Sequence, residues 1–255
     1  MIAPENPPGF IVRTEAQKAA SNNGFRLERG IENGWLSFAS TTAQVAIWIA
    51  GVSKDGPWLL SVDRPQVSAE IGLSPAADLS GPGAATFAFA TLQALYRALD
   101  RVYRLGVSLP DAPLNAFRAA VRYLPRTTEA ERLIVQRVGQ DLFRQALLAY
   151  WGGRCPLTGI TNAELLRASH IIPWAECDTD EKRLDVHNGL LLSALWDAAF
   201  DAGLVSFADD GSAIASPRLT ADAAAVLGLH KANKLTGLTR AHRTNLAWHR
   251  ARYGF

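Results

Sequence analysis

An α+β protein in two domains is the fold class this sequence predicts, and three observations carry that reading. A chain of 255 residues is long for one domain and natural for two. Its first hundred residues alternate short β-rich runs with turn chemistry and then become helical. Its C-terminal third holds a strand, a loop, a second strand and a helix in close order. The expected division is an α+β domain over 1–108 built on a small antiparallel sheet, a connector over 109–126, and a second domain over 127–255.

Taken in order, the elements are these. Met1 to Gly9 is a Pro-rich lead. Phe10 to Asn23 reads as a short helix, stopped by Asn22-Asn23-Gly24. Trp35 to Phe38, Gln44 to Ile49, Trp58 to Val62 and Val67 to Ile71 read as strands. Between them lie Asn33-Gly34, Lys54-Asp55-Gly56-Pro57 and Asp63-Arg64-Pro65, all turn formers. Ser74 to Gly83 is a loop. Ala84 to Leu105 reads as one amphipathic helix, with Leu92, Leu95, Leu99 and Val102 at helical spacing and Gly106 as its stop.

Beyond the connector, which contains a short helix with Phe117 and Val121, Thr128 and Glu131 have the spacing of a capping box. The helix they open is expected to break at Gly139 and to resume over Leu142 to Trp151. Near the C-terminus, Gly203 to Phe207 and Ala213 to Ser216 predict a hairpin turned by Asp209-Asp210-Gly211. Thr220 to Leu227 reads as a short helix and Thr239 to Tyr253 as a basic one.

The composition narrows the classes. The net charge of +2 neither requires nor excludes nucleic acid. No apolar run is long enough to cross a membrane. The N-terminal residues have Pro and Glu where a secretory signal has a basic start and an apolar core. Two cysteines, Cys155 and Cys177, make neither a disulfide framework nor a four-cysteine zinc site. The expected setting is therefore the cytoplasm.

The strand–loop–strand–helix stretch carries the chemistry. Ala168-Ser169-His170-Ile171-Ile172-Pro173-Trp174 places a histidine at the end of a short apolar strand. Asn188-Gly189 opens a second apolar run, Leu190 to Leu192. Asp197 and Asp201 follow four residues apart, on one face of a helix. Imidazole titrates near neutrality and suits a general base. Paired carboxylates suit a hard divalent cation.

These pieces, together with Cys155-Pro156-Leu157-Thr158-Gly159 and Phe200-Asp201-Ala202-Gly203-Leu204, resemble the HNH endonucleases, whose core is the ββα-metal finger. The resemblance implies a phosphodiester hydrolase acting on double-stranded DNA with Mg²⁺ or Mn²⁺ as cofactor. In it, His170 activates water and Asn188 fixes the loop that orients the histidine. Asp197 falls where relatives carry a histidine and can replace it as a metal ligand, Asp201 either joins it or holds the helix or hairpin, and Ser169 stands where many relatives carry an acidic residue. The third histidine of the family pattern is missing; Leu195, Trp196 and Asp197 occupy that region. Asp185 and His187 stand in reserve as ligands.

DNA contacts are expected from Arg137 and Arg144 in the lead-in helix, Arg183 in the loop and Arg250 in the basic tail, with solvated helix arginines as the alternative. Trp35 and Trp58 are read either as core or as a stacking surface for a base. By analogy of arrangement, a small reader domain ahead of an HNH finger implies a prokaryotic restriction or defence enzyme that cuts modified DNA. Because one finger cuts one strand at a time, double-strand cleavage would require a homodimer. The rival readings are a DNA-binding protein that kept the finger and lost catalysis, and a nuclease effector whose N-terminal domain senses a signal.

Overall fold

The computed structural model describes residues 3–109, 111–125, 127–231 and 234–255. The chain divides into two compact units, Met1–Ala112 and Pro113–Phe255. The first contains α1 (Phe10–Asn22), β1 (Leu27–Glu32), β2 (Trp35–Ala39), β3 (Ala46–Gly51), β4 (Trp58–Val62), α2 (Pro65–Glu70), β5 (Ala85–Phe89) and α3 (Leu92–Ser108). The five strands form one antiparallel meander in the order β1-β2-β3-β4-β5.

Register explains the packing. Leu36 pairs with Ile49, Ile49 with Leu60 and Leu60 with Phe87, so these buried side chains share one face. On the other face Trp35, Ala50 and Leu59 pack with Leu79 from the loop after α2. That loop is tied back by Ala76 N donating to Thr86 O.

Three expectations change here. Val67 to Ile71 belongs to helix α2 and its end, not to a strand. Pro65 sits in the first turn, where its missing N–H costs no helical bond. Ala84 to Leu105 is not one helix: the alternating Thr86-Phe87-Ala88-Phe89 pairs with β4, and Thr91 then caps α3 by accepting from Ala94 N at 3.2 Å. Gly106 lies inside α3 and does not end it. A Cβ there would come 2.5 Å from Val45 Cγ1, so the glycine serves close packing. Strand β1 was unanticipated because it is exposed along its whole length and has no buried stripe to reveal it.

The second unit holds α4 (Ala112–Val121), α5 (Glu129–Tyr150), β6 (Leu166–His170), α6 (Asp180–Leu184), β7 (Gly189–Ser193), α7 (Ala194–Asp201), β8 (Val205–Phe207), β9 (Ala213–Ala215), α8 (Ala221–Leu227) and α9 (Arg240–Tyr253). Strands β6 and β7 are antiparallel, with His170 opposite Gly189, and α7 follows β7 directly. This is the strand–loop–strand–helix order read from the sequence, and β8–β9 forms the expected hairpin. Leu166, Leu190, Leu192, Trp196, Phe200 and Phe207 build the core beneath it.

Helix α5 opens with the capping box at Thr128 and Glu131. It then runs unbroken through Gly139, which corrects the expected interruption. Gly139 is there for proximity: a Cβ would sit 2.4 Å from the Trp174 ring. Gly189 has the same role at the start of β7, where a Cβ would meet Phe143 Cζ at 2.5 Å. The two glycines let α5 lie against the finger.

Candidate functional site

A cleft of about 440 Å³ opens at the junction of β6 and α7, lined among others by Arg167, Ser169, His170, Trp174, Asp197 and Asp201. The candidate base, the carboxylate pair and Ser169 therefore meet in one place.

His170 ends β6, where the strand hands over to a tightly bonded loop. Its ring lies on Phe143 with centroids 3.8 Å apart and stands edge-on to Trp174. Its Nε2 is 2.9 Å from Arg183 O. A carbonyl only accepts, so Nε2 carries the hydrogen and Nδ1 presents a lone pair. No described residue hydrogen-bonds that Nδ1. Burial lowers the imidazole pKa from its ordinary value to about 4, with the Arg183 bond opposing. The ring is consequently neutral at physiological pH.

Asn188, fully buried, fixes this loop. Its Oδ1 accepts from Ile172 N at 2.9 Å, while Nδ2 donates to Ile172 O at 3.1 Å and to Lys182 O at 3.2 Å. Its own carbonyl accepts from Ile171 N. One side chain thereby ties the residues just after His170 to helix α6, at the residue next to Arg183.

Arg183 completes the arrangement from its other end. Nε donates to Trp174 O at 3.2 Å, Nη2 to Cys177 O at 2.5 Å and Nη1 to Asp180 Oδ1 at 3.0 Å. The residue whose carbonyl holds His170 is thus anchored through its own side chain.

Across the cleft, Asp197 and Asp201 lie one turn apart on α7. Burial raises the Asp197 pKa, and burial followed by the Asp197 charge raises that of Asp201 to about 6. Arg167, also in the cleft, favours ionised Asp197. The buried Ser169 Oγ has no partner at hydrogen-bond distance, although it lies close enough to both carboxylates to favour their charged forms. Two carboxylates that resist ionisation beside an unpartnered hydroxyl fit a hydrated hard cation, which uses one or two carboxylates and keeps water elsewhere. Among the described residues no three His, Cys, Asp or Glu side chains converge as a ligand set.

The remaining candidates fall in different places. Asp185 and His187, the reserve ligands, do not line this cleft. His187 Nδ1 bonds Asp185 Oδ1 at 2.8 Å, and its ring faces His242 and Tyr150. Arg137 is exposed on α5. Arg144 donates to Leu166 O and Ala163 O at 2.8 and 2.7 Å, holding the start of β6. Arg250 donates to Phe207 O and Asp209 Oδ1 at 2.6 and 2.8 Å, holding the β8–β9 hairpin. Trp35 and Trp58 are only 4% and 2% exposed, so they are packing residues and offer no open ring for a base.

Arg167, His249 and Tyr253, which the local sequence pattern does not connect to the site, also line the cleft. His249 stacks on Phe200 at 3.9 Å, with Nε2 3.2 Å from Phe200 O and Nδ1 3.0 Å from Ser206 Oγ. Tyr253 donates to Asp201 O at 2.9 Å. Both come from α9, about fifty residues beyond α7, which no local spacing could connect to the finger.

Residues 155–208 match a family model described as HNH endonuclease. No curated protein matches the chain. Residues 155–208 are thus similar to an HNH endonuclease domain, which supports nuclease activity in general and implies DNA as the substrate. Among the described residues no helix is long and apolar enough to cross a membrane.

Proposed function

We propose that the protein is a metal-dependent DNA endonuclease in which His170 is the general base. The observation that carries this reading is the fixed tautomer of His170: Nε2–H is spent on Arg183 O, Nδ1 accepts a hydrogen bond from no described residue, and His170 lines the cleft that also holds Asp197 and Asp201. Nδ1 takes a proton from water as that oxygen bonds phosphorus. The bond to the 3′-oxygen breaks and the leaving oxygen takes up a proton, giving a 5′-phosphate and a 3′-hydroxyl. A neutral imidazole performs this step, and a bound phosphodiester anion strengthens its pull on the proton. Asn188 and the Arg183 side chain keep the acceptor aimed. Asp197 and Asp201, with Ser169 Oγ beside them, would hold Mg²⁺ or Mn²⁺, which when bound offsets the charge that builds on the phosphoryl and leaving oxygens.

In this reading the chain is a prokaryotic restriction or defence enzyme, and unit 1 selects the DNA. Dependence on base or backbone modification rests on arrangement alone, a small α+β unit ahead of an HNH domain, because Trp35 and Trp58 are inside the packing. Cleavage of both strands would require two copies. A second reading, an HNH scaffold that binds DNA without cutting it, is favoured by one observation: no three-residue ligand set among the described residues.

The test is incubation of the full chain and Mg²⁺ or Mn²⁺ with unmodified plasmid, plasmid carrying modified cytosines, and plasmid carrying phosphorothioate links. Ion-dependent nicking of any of them supports the nuclease, and the preferred plasmid identifies what is selected. Binding to DNA with no cleavage of the panel under either ion would favour the scaffold.

A further inference from the structure

A second cleft, of about 340 Å³, is lined by Phe117, Arg132, Val135, Gln136 and Trp174 together with the Asp180–Arg183 pair. We propose that it is a nucleotide subsite, seating the base and phosphate next to the scissile phosphodiester. The proposal rests on the nuclease reading and adds to it a place where the substrate strand is held.

Four observations support it. The first is continuity. Trp174 walls both clefts, and its ring stands 5.8 Å from that of His170 at 90°. A strand whose phosphate lies at His170 has its neighbouring nucleotide beside Trp174. The second is composition: a half-buried indole and Val135, with the buried Phe117 as backing, give an apolar wall on which a base can stack against the indole. Gln136 adds an amide that can donate to and accept from a base edge.

The third is charge. Arg183 is matched by Asp180 at 3.0 Å and by carbonyls. The exposed Arg132 side chain has no ion pair or hydrogen bond among the described residues, which leaves the cleft one uncompensated cation. Guanidinium is suited to bidentate phosphate contact. The fourth is Gly139. A glycine inside a helix costs about 1 kcal/mol relative to alanine, and here it lets the Trp174 ring lie against α5, where a Cβ would sit 2.4 Å away. The shared wall exists because that side chain is absent.

The experiment compares the full-length protein with Arg132→Ala, an exposed and unpartnered position whose truncation leaves the fold alone. Two readouts are taken: steady-state cleavage of a short duplex, and binding of a deoxynucleoside 3′,5′-bisphosphate followed by tryptophan fluorescence. Loss of one charge-assisted phosphate contact raises KM and weakens bisphosphate binding by about tenfold, with kcat within twofold. Unchanged KM and unchanged bisphosphate binding would overturn the subsite. So would a fall in kcat alone, because a flanking contact does not act on the chemical step in that way. If the wild type cuts no DNA but bisphosphate binding still depends on Arg132, the nucleotide site stands and the nuclease reading falls.

Discussion

His170, at the end of β6, and His249, on α9, line the same cleft and resemble each other closely. Each lies on a phenylalanine ring, with centroids 3.8 and 3.9 Å apart, and each turns Nε2 toward a backbone carbonyl. Burial holds both pKa values down to about 4. They differ at Nδ1. That of His249 is 3.0 Å from Ser206 Oγ, whereas that of His170 meets no described residue. Desolvation and stacking therefore make a histidine neutral and immobile but do not make it a base. In the proposed mechanism the spare lone pair does, and of the two rings only the Nδ1 of His170 keeps one among the described residues. His249 instead ties α9 to β8 and α7.

The largest way to break this comparison is at His170. His170→Ala is expected to lower kcat for DNA cleavage by about 10²- to 10⁴-fold with DNA retention unchanged, measured by nicking and gel shift. A similar loss in His249→Phe, with His170→Ala near wild type, would reverse the assignment. Next comes Asn188→Ala. It leaves buried backbone groups of Ile172 and Lys182 unpaired and should reduce unfolding free energy by about 2–4 kcal/mol in urea titration, with a lower kcat. His249→Phe keeps the ring stack and loses two hydrogen bonds. A cost of about 1–3 kcal/mol is expected with kcat within a few fold.

Smaller effects follow pH. A histidine with a folded pKa near 4 contributes stability above its ordinary value of 6.5 that is lost as pH falls toward 4, because the unfolded chain takes up the proton first. Melting temperature should therefore fall between pH 6.5 and 4, and less steeply in His249→Phe. The carboxylates run the other way. Asp201, with its pKa raised to about 6, contributes stability at low pH that is lost as pH rises through 6. Mg²⁺ bound at the pair should consequently raise the melting temperature more at pH 7.5 than at pH 5, and Asp201→Asn should abolish that difference in differential scanning fluorimetry.

The finger was legible because its features are local. A histidine ending an apolar strand, Asn-Gly opening the next, and two aspartates four apart keep their meaning at short range; the fold brings the histidine and the aspartates into one cleft and buries Asn188 in the bonds of the adjoining loop. In unit 1, Trp58 to Val62 was legible as a fully buried strand. Exposed β1 was not, because it has no apolar alternation, and Ala85 to Phe89 was merged into α3 because its small and aromatic residues suit either state. Gly106 and Gly139 have the local look of helix stops, yet they are points of close approach to Val45 and Trp174, a distinction set by tertiary packing. His249 and Tyr253 were invisible as cleft residues because α9 joins the finger only through the fold. The clamping of Arg144, Arg183 and Arg250 onto carbonyls was hidden for the same reason.

The most direct test is the tautomer and titration of the two histidines, read from long-range ¹H–¹⁵N correlations of ¹⁵N-histidine-labelled protein, with His170→Gln and His249→Phe for assignment. Both rings are predicted to be neutral at pH 6 and to carry the hydrogen on Nε2, and only His170 should shift at Nδ1 when a DNA oligonucleotide is added. A His170 that carries the hydrogen on Nδ1, or that titrates near 6.5, would contradict the account.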